Sequence, residues 1–354
     1  MATTKFISSG SLLSILDRLA EQTELWVPAA STKDGGAVRF RRYRPGIVPV
    51  LNRLTRLSPK EVVQPQVERL LRFEYVKGAE ASAPVQLALD DEVRVAPALV
   101  FGARPCDARA FALTDRVFRE GPVVDTLYRA RRENTLFATL ICREGDDACF
   151  CSAVGGGPAD LEDSDLAIIP VEGGLVVKAL RDRAVPLIEA LGESVSASIE
   201  EAARRVVEEV SRQRVGDLDA EGSVSAFRGR FEDRDYWRDV AERCLSCGVC
   251  TFVCPTCYCF TITDEMRDLK GERLRSWDSC MFCQYTLEAG GHNPRPTRLD
   301  RYRNRVGHKF SYFPERYDGK FSCTGCGRCV RSCPVSIDIR RAVAGLKEHV
   351  CACA

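Results

Sequence analysis

No stretch of this chain is long and apolar enough to span a bilayer. The most apolar run, Val93 to Ala103, carries Arg94 and reaches only about half the length a spanning helix needs. The opening MATTKFISSGSLLSIL has neither a basic run ahead of a long apolar core nor a small-residue cleavage site, so no export signal is expected. Cytoplasmic residence without direct membrane insertion is the expectation. Neither positive nor negative charge is in excess: the net charge is +1, which leaves no bulk attraction to nucleic acid or to an anionic lipid surface. No G-x-G-x-x-G follows a predicted strand, and there is no P-loop and no G-x-S-x-G. That removes the nicotinamide and flavin fingerprint, the phosphate cradle and the serine nucleophile elbow. Gly155 to Gly157 is a glycine run with no helix behind it. What the chain does have is 18 cysteines in 354 residues. Without an export signal, so many thiols indicate a reducing compartment and metal ligation rather than a disulfide scaffold.

Eight of these cysteines form two matching runs. CLSCGVCTFVCP, Cys244 to Pro255, recurs as CTGCGRCVRSCP, Cys323 to Pro334. Both read C-x2-C-x2-C-x3-C-P, the bacterial ferredoxin spacing, in which the fourth cysteine of each run ligates the other cluster. The expectation is two [4Fe-4S] clusters. One is held by Cys244, Cys247, Cys250 and Cys333, the other by Cys323, Cys326, Cys329 and Cys254. Zinc sites and structural cysteines are the alternatives. Zinc more often pairs C-x2-C units at a distance and rarely uses three equally spaced cysteines.

The remaining cysteines are grouped too. Cys106 in FGARPCDAR and Cys142 in LFATLICREG each follow a predicted buried strand. Neighbouring parallel strands would bring both thiols to the carboxyl edge of a sheet, where α/β folds place ligands. Cys149 and Cys151 in ACFCS point to one side if the backbone is extended. These four are expected to hold a third cluster, against the alternative that they are small buried hydrophobes. Cys257 and Cys259 in PTCYCF, with Cys280 and Cys283 in SWDSCMFC, form a similar central group and a candidate fourth cluster. Packing in the dicluster domain is its alternative. Cys351 and Cys353 lie in a terminal CAC expected to fray.

The hydrophobic pattern divides the chain. An amphipathic helix is predicted over residues 10–22 and a strand over Leu25 to Ala29. Arg39 to Arg44 reads as a solvated basic edge, and Val62 to Phe73 as strand end, turn and helix. Buried strands follow at Arg94 to Ala103 and Leu136 to Cys142, with a helix at Asp107 to Phe118 and a hairpin around Gly173-Gly174. Leu187 to Arg214 reads as a charged helix, and GDLDAEG, Gly216 to Gly222, as a linker. The fold class is α+β. Residues 1–220 form an α/β domain with a partly parallel sheet, and 221–354 a mainly helical ferredoxin-like dicluster domain with a long insertion between its motifs. Gly291 to Phe310 is dense in arginine. Such cations near anionic clusters raise their potential, although a solvated basic face gives the same composition. His292 and His308 read as hydrogen-bonding residues rather than metal ligands. No catalytic base is recognisable. Many cluster ligands without a substrate site describe an electron conduit.

The chain resembles the iron–sulfur β subunit of cytoplasmic NAD(P)-linked [NiFe] hydrogenases of the sulfhydrogenase type. It is similar also to a relative of that family, the iron–sulfur electron-transfer component of anaerobic sulfite reductase. The resemblance rests on SPKEVVQPQ near Ser58, FGARPCDARAFALTD from Phe101, CFCSAVGGGP from Cys149, CPTCYCF from Cys254, WDSC from Trp277, AGGHNPR from Ala289, the His308-Lys309 pair and CTGCGRCVRSCP. It implies a component that exchanges electrons with a flavin- and NAD(P)-binding partner and binds no pyridine nucleotide itself. Hydrogenase subunits, or a sulfite-reducing one, would lie elsewhere in the assembly. A free-standing ferredoxin-like carrier is the other class of reading.

Overall fold

The computed structural model describes residues 3–31, 35–78, 80, 84–189, 191 and 193–348. Cys351 and Cys353 lie outside the described residues. Twelve strands are described: β1 Thr4–Ser8, β2 Glu24–Ala30, β3 Val38–Arg42, β4 Val67–Val76, β5 Gln86–Asp90, β6 Ala98–Ala103, β7 Thr135–Leu140, β8 Leu166–Val171, β9 Gly174–Ala179, β10 Glu193–Ser194, β11 Phe260–Arg267 and β12 Lys270–Trp277.

Eight of them form one mixed sheet in the order β10-β1-β9-β8-β7-β6-β2-β3. At its centre β2, β6, β7 and β8 run parallel to one another. Strands buried on both faces carry continuous apolar sequence, and all six residues of β6 are buried. Leu99 and Phe101 enter one core with Ile15, Leu16 and Leu19 of the helix Leu12–Gln22. Val100 enters the other with Phe111, Phe118 and Phe137. The basic run at Arg39 to Arg44 is an edge strand, β3, as the charge pattern predicts.

The second sheet, β11-β12-β4-β5, differs from the sequence expectation in two ways. The predicted helix after Val62 is the strand β4. Its backbone pairs with β12 on one side and β5 on the other, and such tertiary pairing outweighs a local helix pattern. The insertion between the two cysteine motifs contributes the hairpin β11–β12, so the C-terminal half is not wholly helical. This sheet takes strands from both sides of residue 220.

A further junction lies between the second cysteine motif and the first sheet. Phe150 N–H donates to the Gly325 carbonyl at 2.7 Å. Arg331 bonds Asp146 at 2.5 and 2.7 Å. Arg328, 3% exposed, makes a bidentate pair with the fully buried Asp107 at 2.6 and 3.1 Å and donates to Thr55 Oγ1 and its carbonyl. Asp107 also accepts from the Arg104 N–H as part of a capping box on the helix Pro105–Phe118. Asp107→Asn keeps an acceptor for that cap but leaves Arg328 charged and unpaired. Breaking one side of such a buried pair costs about 3–5 kcal/mol. Anaerobic urea unfolding is therefore expected to shift to a clearly lower midpoint, and an unchanged midpoint would show that the pair does not hold the two halves together.

Candidate metal centre

The two cysteine motifs fold alike. In each, residues two and four positions after the first cysteine take left-handed backbone: Ser246 (φ 53) and Gly248 (φ 75) in the first, Gly325 (φ 63) and Gly327 (φ 69) in the second. Alternation of this kind turns successive backbone N–H groups into a concavity suited to anions. Ser246 N–H already points at Cys244 Sγ, 3.4 Å away. A short helix follows each loop, Val249–Phe252 and Arg328–Arg331. Each ends just before the fourth cysteine, Cys254 or Cys333. The two short helices pack against each other, which makes an exchange of fourth cysteines geometrically simple.

Cys244, Cys247, Cys250 and Cys333 line one cavity of about 470 Å3, together with Met281, Tyr302 and Arg305. Cys333 thus joins the first motif, not its own loop. Arg305 is 3% exposed, and its Nε and one terminal nitrogen have no hydrogen-bond partner; the hydroxyl of buried Tyr302 has none either. Orphaned donors at a thiol-lined cavity call for an anionic acceptor, which a four-thiolate iron–sulfur cluster is. Among the described residues, no three His, Cys, Asp or Glu side chains are close enough together to hold a single metal ion. Four thiols around one cavity with unpartnered Arg305 and Tyr302 donors beside them fit a cluster.

Cys254 lies within electrostatic reach of Cys323 and Cys326, which in turn lie near Cys329. Burial pushes the Cys323 thiol up to about 12 despite a nearby lysine. That lysine, Lys309, is 2% exposed. Its Nζ donates to Cys254 Sγ at 3.3 Å, to Thr256 Oγ1 at 3.0 Å and to the Ser322 carbonyl at 2.9 Å. It ties the end of the first motif to the start of the second.

The N-terminal cysteines converge as the strand-end argument predicts. β6 and β7 are parallel neighbours, and Cys106 and Cys142 follow their carboxyl ends. Cys106, Cys142, Cys149 and Cys151 line a single cavity of about 440 Å3, with Cys326 of the second motif and Arg328 on its wall. Burial pushes the Cys149 and Cys151 thiols up to about 11 each. Metal binding at these thiols must therefore displace protons.

The central cysteines are arranged differently. Cys257 lies close to Cys254, and Cys259 to Cys280. The neighbouring Cys280 thiol draws the Cys259 thiol down. Cys280 also lies near Cys250, so these three thiols flank the space between the two motifs. Cys283 is exposed, with its sulfur against Asn293 and the Pro296 carbonyl. Lys60, 3% exposed, joins this region without any announcement in the sequence pattern. Its Nζ donates to the Cys257 carbonyl at 2.9 Å and sits 3.9 Å over the Trp277 ring. The one trace of it in the sequence is a lysine between Pro59 and the apolar pair Val62-Val63. His308 bonds Tyr258 Oη at 3.1 Å, and His292 faces Glu288 at 3.3 Å. Both fit the hydrogen-bonding expectation.

Residues 243–337 match the family model described as a 4Fe-4S dicluster domain. The chain is 33% identical over 245 residues to Sulfhydrogenase 2 subunit beta of Pyrococcus furiosus, across 68% of this chain and 71% of that one. No solved structure matches the chain.

Gly325 tests the seam between the motif and the CFC segment. A Cβ there would lie 2.4 Å from the Phe150 carbonyl carbon, whereas at Gly319 (φ 74) a Cβ meets nothing within 4 Å. Gly319→Ala is expected to cost only left-handed strain, about 1–2 kcal/mol. Gly325→Ala should lower the thermal midpoint by more, and equal losses would mean that the seam is loose.

Proposed function

The chain belongs to the sulfhydrogenase beta-subunit family, and from that premise we propose that it is the iron–sulfur relay of a hydrogenase assembly. It passes single electrons between a flavin- and NAD(P)-binding partner and the hydrogenase subunits. The observation that supports this most directly is Cys333 beside Cys244, Cys247 and Cys250 around one cavity. That is the crossed arrangement a dicluster ferredoxin requires. Three four-cysteine sets serve as ligands in this reading. They are Cys244, Cys247, Cys250 and Cys333; Cys323, Cys326, Cys329 and Cys254; and Cys106, Cys142, Cys149 and Cys151. A [4Fe-4S] cluster held by such a set supplies one-electron exchange, which hydride carriers cannot deliver without a flavin.

The sets stand in series. Cys326 lines the N-terminal cavity and Cys329 lines the cavity of the first motif, so the Cys323 set is the middle station. The protein's own part is to hold the three sets in order and to bury them. Among the described residues, no helix is long and apolar enough to cross a membrane.

Anaerobic purification of the native assembly tests the reading. Co-isolated hydrogenase and flavin subunits, with about twelve irons in this chain, are expected. Iron near sixteen would add the central group of Cys257, Cys259, Cys280 and Cys283. A sulfite-reducing partner would transfer the relay to sulfite reduction, and isolation without partners would favour a free carrier. The pure chain should not oxidise NADPH or NADH with a dye acceptor. Cys323→Ala in the assembled complex should abolish nucleotide-linked turnover while dye-linked activity at each end survives. Full turnover with the middle centre missing by spectroscopy would show that the path bypasses it.

A further inference from the structure

Two buried cations of the helix Arg298–Gly307 and the turn that continues it have no carboxylate partner among the described residues. Arg305 lies in the last turn of the helix Arg298–Gly307, and Lys309 four residues on, in the π-helical turn His308–Tyr312. They are 3% and 2% exposed. The other buried arginines of this region have assigned partners. Arg328 pairs with Asp107, and Arg301 donates to the carbonyls of Met281, Arg295 and Pro296. Arg305 and Lys309 make no ion pair with a carboxylate among the described residues; the groups around them are cysteine thiols and, for Arg305, the Tyr302 phenol. A charge taken out of water and left uncompensated is costly enough that proteins normally avoid it. The compensation here has to come from the sulfur ligands and whatever they carry.

The two differ in what they face. Arg305 lines the cavity of Cys244, Cys247, Cys250 and Cys333, and the same cavity reaches Cys329 of the second motif. Its unpartnered donors lie where both ligand sets meet. Lys309 is committed: its three hydrogen bonds go to Cys254, Thr256 and Ser322, all at the Cys323 set.

We propose that Arg305 and Lys309 are the residues that set the reduction potentials of the dicluster pair, with Arg305 shared by both ligand sets and Lys309 acting on the Cys323 set alone. The inference rests on the reading that these cysteines bind [4Fe-4S] clusters. The physical basis is that a fixed positive charge and N–H donors at the sulfurs favour the reduced, more negative state and so raise the potential. One shared guanidinium raises both potentials together and keeps the two stations close in energy. The added ammonium lifts the middle station. Both are positioning residues, because neither is a ligand.

The test is an EPR-monitored redox titration of the anaerobically purified holoprotein, with iron measured on every sample. Wild-type protein without iron would remove the reading beneath the proposal. With iron at the wild-type level, Arg305→Met is expected to shift both dicluster potentials to more negative values. Lys309→Met should shift one of them, leaving the other and any signal from the Cys106 set in place. Arg305→Lys, which keeps the charge and loses the planar fork, should recover most of the loss. If Arg305→Met loses iron, Arg305→Gln keeps N–H donors without charge and carries the same expectation. Unshifted potentials in an iron-replete Arg305 variant overturn the proposal. A shift of only one cluster in that variant overturns the sharing.

Discussion

Buried positive charge must find buried negative charge, and most of this protein's architecture answers that demand. Sixteen described cysteines are free thiols, most of them buried or half-buried. Four cations reach into the same interior: Lys60, Arg305, Lys309 and Arg328. Among the described residues, only Arg328 of these four has a carboxylate, Asp107. The other three face cysteine thiols or their backbone. In water such an arrangement would be indifferent. Inside a protein, where effective dielectric is low, buried cations without a carboxylate are costly unless the sulfurs beside them carry negative charge. The helix Arg298–Gly307 with its π-helical continuation is accordingly the strut of the C-terminal half, packing Tyr302, Val306 and Phe310 into the core while delivering two charges to the sulfurs.

The same demand explains why the two halves interlock. A cysteine set at the carboxyl edge of the first sheet has no floor of its own. The second motif provides it: Cys326 and Arg328 close the N-terminal cavity, and Gly325 approaches the CFC segment so closely that a side chain would not fit. The second sheet repeats the interlock elsewhere, with β4 paired to β12 across the two halves. Cys326 lines the N-terminal cavity and Cys329 that of the first motif, so the cysteine groups adjoin one another. A relay needs rigidity, since electron transfer depends steeply on fixed separations and gains nothing from motion of the stations.

Much of the site is legible because its chemistry is spelled in short-range spacing. The doubled C-x2-C-x2-C-x3-C-P announces both loops and the exchange of Cys254 and Cys333. The N-terminal set is legible for another reason. A buried strand followed by cysteine, twice, places both thiols at one sheet edge once the strands are parallel neighbours, and β6 and β7 are. The stretch Val67–Val76 misleads because its local pattern suits a helix and its strand partner, β12, lies some two hundred residues away. The place of Lys60 is not legible because its partners are far away in sequence; only folding brings Cys257 and Trp277 to it.

The two cysteine motifs, the fold class and the buried strands of the first sheet are written in the chain itself. Each follows from residue type at close spacing, where covalent geometry leaves few choices. The relation among distant groups came from packing instead. Packing separated the buried Arg301 and Arg305 from the rest of an arginine-rich run that composition alone left ambiguous. It set Cys283 apart at the surface and drew Cys257, Cys259 and Cys280 toward the motifs. Burial and the choice of partner arise between segments far apart in the chain. A one-dimensional pattern does not encode whether a given charge ends in water or against sulfur.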